Sequence, residues 1–243
     1  MKKRLPWLLL AGIGAYLVLR RLGLRSGATD EEVDASLPGD EVIPHPMIET
    51  THAITINAPP SEVWKWLVQA GYRPSGRAGW YTDSWVNDLV EGFFLKFTVP
   101  PEKHHERPGA RSANEILPQY QNTKIGDIIP DGPPDSAYFE VKEVIPEKAW
   151  VLYSDTHMQY ITPNFLRGTS LQSYGEFTWV FILDPLGEGG TRLILRTRAN
   201  LGPHYLRYIS PPIYYLAEAI FPRLTLGGIK QRAENMLSGN PKD

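Results

Sequence analysis

The sequence predicts an α+β domain in which a mostly antiparallel sheet packs against one long C-terminal helix. Three observations predict it. A strand runs directly into a proline-started helix between His52 and Gly71; five further β-like segments lie between Lys124 and Ala199, separated by short turn-forming gaps; and apolar residues recur at helical spacing from Ile213 to Met236.

The elements follow in chain order. His52-Ala-Ile-Thr-Ile-Asn57 has the β-branched content and rough alternation of a strand. Pro59 and Pro60 suit the first turn of a helix, where a missing N–H would have had no partner, and Ser61 and Glu62 suit its positive end. Val63, Trp66, Leu67 and Ala70 then form one apolar stripe, and Gly71 stops the run. Strands are predicted near Lys124 to Ile129, Tyr138 to Ile145, Ala149 to Asp155, Gly175 to Leu183 and Thr191 to Ala199. The gaps between them, Asp131-Gly-Pro-Pro134, Pro146-Glu-Lys148 and Gly187-Glu-Gly-Gly190, are short enough to make antiparallel neighbours. Ile213, Leu216, Ala217, Ile220 and Leu224, then Leu226, Ile229, Ala233 and Met236, mark the terminal helix. Pro222 falls inside it and predicts a kink or restart near Phe221.

Taken together these segments resemble a known group. The pattern of strand, Ala58-Pro-Pro60, acidic Glu62, Val63-Trp64, helix, then Gly76-Arg-Ala-Gly-Trp-Tyr-Thr-Asp83 is similar to the SRPBCC superfamily, the START, Bet v 1 and polyketide-cyclase-like proteins, and to a bacterial branch of it. Gly27-Ala-Thr-Asp-Glu-Glu32 with Leu37-Pro-Gly-Asp-Glu41 resembles that branch's lead-in, and Ser112 to Gln121 with Ile125-Gly-Asp127 its middle segment. Trp179 to Pro185, Thr191 to Arg198 and Gly228 to Glu234 resemble its last strands and final helix. The resemblance implies a helix-grip fold with an internal cavity between sheet and helix. Residues Glu91 to Arg111, including Phe93-Phe-Leu-Lys-Phe97 and Pro100 to Pro108, are longer than the branch has there and read as a lid over that cavity.

At 27.4 kDa with 42% hydrophobic residues the chain can bury one sizeable core. The absence of cysteine excludes disulfides, thiolate nucleophiles and cysteine-ligated metals. Charge divides the chain into residues 1–28 as an N-terminal hydrophobic segment of balance +6, residues 29–49 as an acidic linker, and residues 50–238 as the domain. The portion after residue 28 carries a balance of −8 and offers no phosphate-neutralising surface, so nucleic acid is not an expected partner.

Leu5 to Leu19 is an apolar and small-residue run which, as a helix, spans about 22 Å against roughly 30 Å of hydrocarbon. Extension to Leu24 reaches a workable length if Arg20 and Arg21 snorkel. Residues 1–24 are read as a single membrane anchor of undetermined orientation. The rival reading is a signal peptide cleaved near Ser26 and Ala28, with secretion of the remainder; a soluble packing helix is the third.

For the cavity the sequence supplies aromatics: Trp80, Tyr81 and Trp85 in the loop after the first helix, Phe177, Trp179 and Phe181 on one strand face, and Tyr205, Tyr208, Tyr214 and Tyr215 near the last helix. Such walls suit a greasy ligand with one oriented polar end, although aromatics alternating on a strand equally describe packed core. Arg192, Arg196 and Arg198 alternate with Leu193, Leu195 and Thr197, which places them on the solvent face; the sharper alternative turns Arg196 inward to hold a ligand carboxylate or carbonyl.

No Gly-x-Ser-x-Gly, phosphate loop, dinucleotide fingerprint or His-Glu-x-x-His is present. His104 and His105 sit adjacent on a proline-rich loop and read as solvated rather than metal-binding; no metal or cofactor is expected. His157 with Asp155, and Asp83 beside Tyr81, are the candidate acid-base groups. The expectation is therefore a protein that binds a hydrophobic small molecule, lipid or polyketide-like, at a membrane and without catalysis. The alternatives are a cyclase or dehydratase using Asp83, Tyr81 or His157, and an interaction domain whose interior is filled by side chains. The sequence leaves oligomeric state open.

Overall fold

The computed structural model describes residues 5–89, 92, 111–209 and 211–238. The expected lid at 91–111 lies almost wholly outside the described residues, and His104 and His105 with it.

Seven strands form one curved mixed sheet in the order β1-β2-β7-β6-β5-β4-β3. They are β1 (Arg25–Ser26), β2 (Ile48–Ile56), β3 (Ile128–Pro130), β4 (Tyr138–Ile145), β5 (Ala149–Ser154), β6 (Tyr174–Leu186) and β7 (Gly190–Gly202). All neighbours are antiparallel except β1, which pairs parallel to β2. The helices are α1 (Leu5–Leu24), α2 (Asp30–Asp34), α3 (Pro60–Val68), α4 (His157–Ile161), α5 (Leu206–Ile209) and α6 (Pro211–Ser238).

The predicted α+β arrangement is thus present, with differences in detail. The strand expected from Lys124 shrinks to three residues, because Lys124 to Asp127 forms a turn closed by Asp127. Strands β6 and β7 outrun their predicted ends, pairing from Tyr174 opposite Gly202 to Leu186 opposite Gly190. The break expected at Pro222 does not occur, and α6 runs from Pro211 to Ser238 as one helix with Pro222 inside. Pro222 is buried, and the helix around it is fastened from both sides: Thr50 bonds Glu218 before it, and Lys230 bonds the Thr55 carbonyl after it. That tertiary packing outweighs the lost backbone hydrogen bond.

The two sheet faces do different work. Residues opposite each other in an antiparallel pair share a face, so Leu152, Trp179, Thr197 and Thr50 make one inward row, and Trp150, Phe181, Leu195 and His52 the next. This concave face packs on α3 and α6 and holds the main core, including Leu67, Leu193, Ile229 and Ala233. The convex face carries Ala53, Val151, Val180 and Ile194, covered by Ala28, Leu37 and Val42.

That cover is the stretch expected to be an acidic linker. Thr29 and Glu32 form a reciprocal capping box that starts α2. The acids then meet the convex-face arginines: Glu32 holds Arg192 through both carboxylate oxygens, at 2.6 and 2.8 Å, and Asp40 meets Arg196 at 2.9 Å.

Helix α1 packs against α6. Gly23 is buried against the Tyr215 backbone, where any side chain would clash, and the Tyr16 and Tyr215 rings lie 6.4 Å apart. Among the described residues no helix is long and apolar enough to cross a membrane. The spanning-helix expectation for residues 1–24 therefore has no support from the fold, although the run is helical as far as Leu24.

Candidate functional site

The conspicuous Gly-Arg-x-Gly-x-Tyr-x-x-Asp stretch folds as a latch. Arg77 is buried and donates to the Ala70 and Val68 carbonyls, both at 2.6 Å, closing the C-terminal end of α3. Burial lowers its pKa to about 10, with the Tyr120 ring 4.5 Å from the guanidinium. Gly79 has φ +87, a left-handed conformation that favours glycine, and Ser112 occupies the space a side chain would need. Tyr81 is 2% exposed; its hydroxyl donates to the Trp66 carbonyl at 2.6 Å and accepts from Gln69 at 3.1 Å. Burial raises its pKa far above the usual tyrosine value. Asp83 accepts from the Ser112 backbone at 2.8 Å and from Arg232 of α6 at 2.8 Å. Asp83 and Tyr81 are therefore each committed to protein partners, which favours a structural over an acid-base role.

The expected ligand residues divide. Trp80, Phe177 and Trp179 come together on the concave face. Trp80 lies 5.0 Å from Trp179 and 5.7 Å from Phe139, and Phe139 stacks on Trp179 at 5.2 Å. Tyr81 lies instead in the latch, and Trp85 is 76% exposed. Tyr205 uses its hydroxyl on the Leu171 carbonyl at 2.9 Å, on the surface.

Arg196 corrects both readings of its strand. It points to the convex face as alternation demands, yet it is 1% exposed. All five of its N–H donors are engaged: Nε on Thr51, the others on Asp40 and the Ala35, Glu32 and Val33 carbonyls. It has no donor left for a ligand.

His157 meets a carboxylate, but not that of Asp155. Its Nε2 is 2.7 Å from Asp131 in the β3–β4 turn, and its Nδ1 is 2.6 Å from Ser154 Oγ. Since a carboxylate only accepts, Nε2 carries a proton, and in the neutral ring Nδ1 accepts from Ser154. Trp80 Nε1 donates to the other Asp131 oxygen, and the imidazole packs 4.6 Å from Phe139 and 4.9 Å from Phe177. Ser154 is 2% exposed and also accepts from the Thr156 backbone at 3.1 Å, so this network holds the aromatic wall in place.

A second cluster on the same concave face was not anticipated. Thr50 and His52 of β2, Thr197 of β7 and Glu218 of α6 are all buried. Thr50 donates to Glu218 at 2.7 Å, and His52 Nε2 stands 3.5 Å from the same carboxylate. Tyr214, one turn before Glu218, faces it without a hydrogen bond of good geometry; burial first, and the Glu218 charge second, push its pKa well above the usual value. Among the described residues neither nitrogen of His52 has a hydrogen-bond partner, nor do Thr197 Oγ1, Trp150 Nε1 and Thr225 Oγ1. Buried polar atoms are otherwise nearly always paired. The signal in the sequence was a glutamate two turns before Thr225 and three before Ile229, inside the helix's apolar stripe.

Two surface clefts lie at opposite strand ends. The larger, about 350 Å³, opens beside the first residues of β2 and the last of β7, lined by His45, Pro46, Met47, Asn200, Leu201 and His204. Among the described residues no group of three or more histidines, aspartates or glutamates is placed to hold a metal ion.

No protein-family model and no curated protein matches this chain. It is similar to solved structures at low identity. A polyketide-cyclase-like protein from Corynebacterium glutamicum is 14% identical over 81% of this chain and 97% of that one, with TM-score 0.39. A protein from Mesorhizobium loti is 15% identical over 75% and 95%, with TM-score 0.37. Truncated norcoclaurine synthase from Thalictrum flavum is 12% identical over 73% and 92%, with TM-score 0.32. These scores carry nothing about activity. By its own topology, a seven-stranded curved sheet holding a 28-residue C-terminal helix, the chain has a helix-grip arrangement.

Proposed function

We propose that the protein binds a small, largely apolar molecule between the concave face and α6, without catalysing its conversion. One observation carries this reading: the buried polar atoms of His52, Thr197 and Trp150, without hydrogen-bond partners among the described residues, face the interior beside an aromatic wall. A core filled only by side chains would leave such atoms at a cost of about 1–3 kcal/mol each, whereas a ligand with one polar end satisfies them. The reading without chemistry is favoured because Asp83, Tyr81, His157 and Ser154 are each tied into structural hydrogen bonds.

Titration of the full-length protein with the neutral probe N-phenyl-1-naphthylamine tests it. Losing roughly 100 Å² of aromatic contact is worth about 2.5 kcal/mol, so Trp179→Ala should weaken uptake by roughly seventyfold. Trp85→Ala, at the surface, should leave it within about twofold. Equal effects of the two, or no uptake, would sink the proposal.

We propose in addition that α1 holds the protein at a lipid surface. Gly12 through Val18 are all exposed although α1 packs on α6, and an apolar helix face left uncovered finds a matching environment in lipid. Co-sedimentation with phosphatidylcholine vesicles should fall about fivefold or more in Leu17→Asp, which puts a charge on the apolar face that would bury in the interface. Unchanged sedimentation would rule α1 out as the attachment.

A further inference from the structure

We propose that the buried end of the ligand is a protonated amine received by Glu218. This rests on the small-molecule reading above and specifies the chemistry of its polar end. Glu218 is 7% exposed, and its carboxylate accepts from Thr50 Oγ1 at 2.7 Å. Among the described residues His52 is the only basic side chain within ion-pairing distance of it, at 3.5 Å and without a hydrogen bond. The arginines of β7 do not neutralise it, because Arg196 and Arg198 lie on the opposite face, paired with Asp40 and Glu49.

A carboxylate taken out of water and left without a cation favours an incoming positive charge and repels a negative one. A carboxylate, phosphate or sulfate on the ligand would meet that repulsion with no guanidinium or ammonium to offset it. A hydroxyl could donate one hydrogen bond but would leave the charge uncompensated. An ammonium offers three donors, and acceptors lie on neighbouring inward positions: the Glu218 carboxylate, the imidazole of His52 3.5 Å from it, and Thr197 Oγ1, which is unpaired among the described residues and opposite Thr50 in the strand register. Thr197 is directly opposite Trp179 on the neighbouring strand. The apolar remainder of the ligand therefore runs from the polar cluster onto the aromatic wall, whose π faces also tolerate a nearby cation.

Three matched probes decide it: 2-phenylethylamine, 2-phenylethanol and 3-phenylpropanoate, titrated calorimetrically into the full-length protein at neutral pH. The amine should bind about tenfold or more tighter than the alcohol, with the carboxylate weakest. Glu218→Gln should remove that preference, weakening the amine about tenfold and the alcohol by less than about twofold. Thr50→Val, which keeps the carboxylate, should preserve the order of the three probes. If Glu218→Gln fails to fold, the wild-type order alone decides. Carboxylate binding at least as tight as the amine, or amine and alcohol binding equally, overturns the inference and leaves the small-molecule reading standing. Binding of none of the three by protein that takes up N-phenyl-1-naphthylamine also overturns it, whereas failure of that neutral probe overturns the broader reading.

Discussion

The hydroxyl of Thr50 lies 2.7 Å from the carboxylate of Glu218, joining β2 to α6 across the interior of the grip. Glu218 is the acid of the inward polar cluster, and Trp179 sits one strand beyond Thr197 in the same row. The interior is thus divided, with a polar wall on β2, β7 and α6, and an aromatic wall on β4 to β6.

Arg196→Met should destabilise the fold by roughly 2–4 kcal/mol, because three carbonyls and one oxygen of the half-buried Asp40 carboxylate lose the guanidinium they share, with Arg198 3.5 Å from Asp40 left to offset part of its charge. The loss should be local as well as global, with residues 29–43 becoming the first site of limited proteolysis. Urea denaturation and mapped cleavage sites check both halves. A variant of wild-type stability would mean that the strip is held by something else.

Gly228→Ala should cost about 1–3 kcal/mol, since a methyl there meets the backbone carbonyl of Tyr81. Its neighbour supplies the control. Gly227 has nothing within 4 Å, so Gly227→Ala should stabilise by about 0.5–1 kcal/mol through helix propensity. Melting temperatures moving in opposite directions would confirm the latch between the 76–83 loop and α6.

Glu32 predicts an acid limb of stability. The paired hydrogen bonds from Arg192 hold its carboxyl below the ordinary value of 4.5, with burial opposing and the Thr29 N–H assisting. Because the folded pKa is the lower one, the pair stabilises at pH above about 4.5 and loses that contribution as pH falls through the folded value. The stability gap between wild type and Glu32→Gln should be full at neutral pH and shrink in acid. A gap that widens on acidification would contradict the assignment.

Much of the architecture was legible in the sequence. Long alternating strands and a long apolar helix announce themselves by period, so β4 to β7 and α6 were placed within a few residues. Two-residue β1 has no period to read, and Pro222 predicted a break that packing on both sides overrode. The Thr29-x-x-Glu32 box was readable as a helix start, but its acidity pointed towards a linker. Alternation told correctly which way Arg196 points, yet its burial comes from residues about 160 positions earlier, which no local pattern encodes. The site was less legible for the same reason. Trp80, Tyr81 and Trp85 share one aromatic loop and end in three environments, while Thr50, His52 and Glu218 become a cluster only when β2 meets α6.

A ligand seated between the sheet and α6 should be detected by mass spectrometry of the small molecules released on denaturing full-length protein purified without added ligand. One dominant, largely apolar compound should be released, close to one per chain, and be absent from Trp179→Ala protein prepared alongside. Wild-type protein yielding nothing above the blank, or the same compound retained undiminished by Trp179→Ala, would contradict a ligand seated between the sheet and α6.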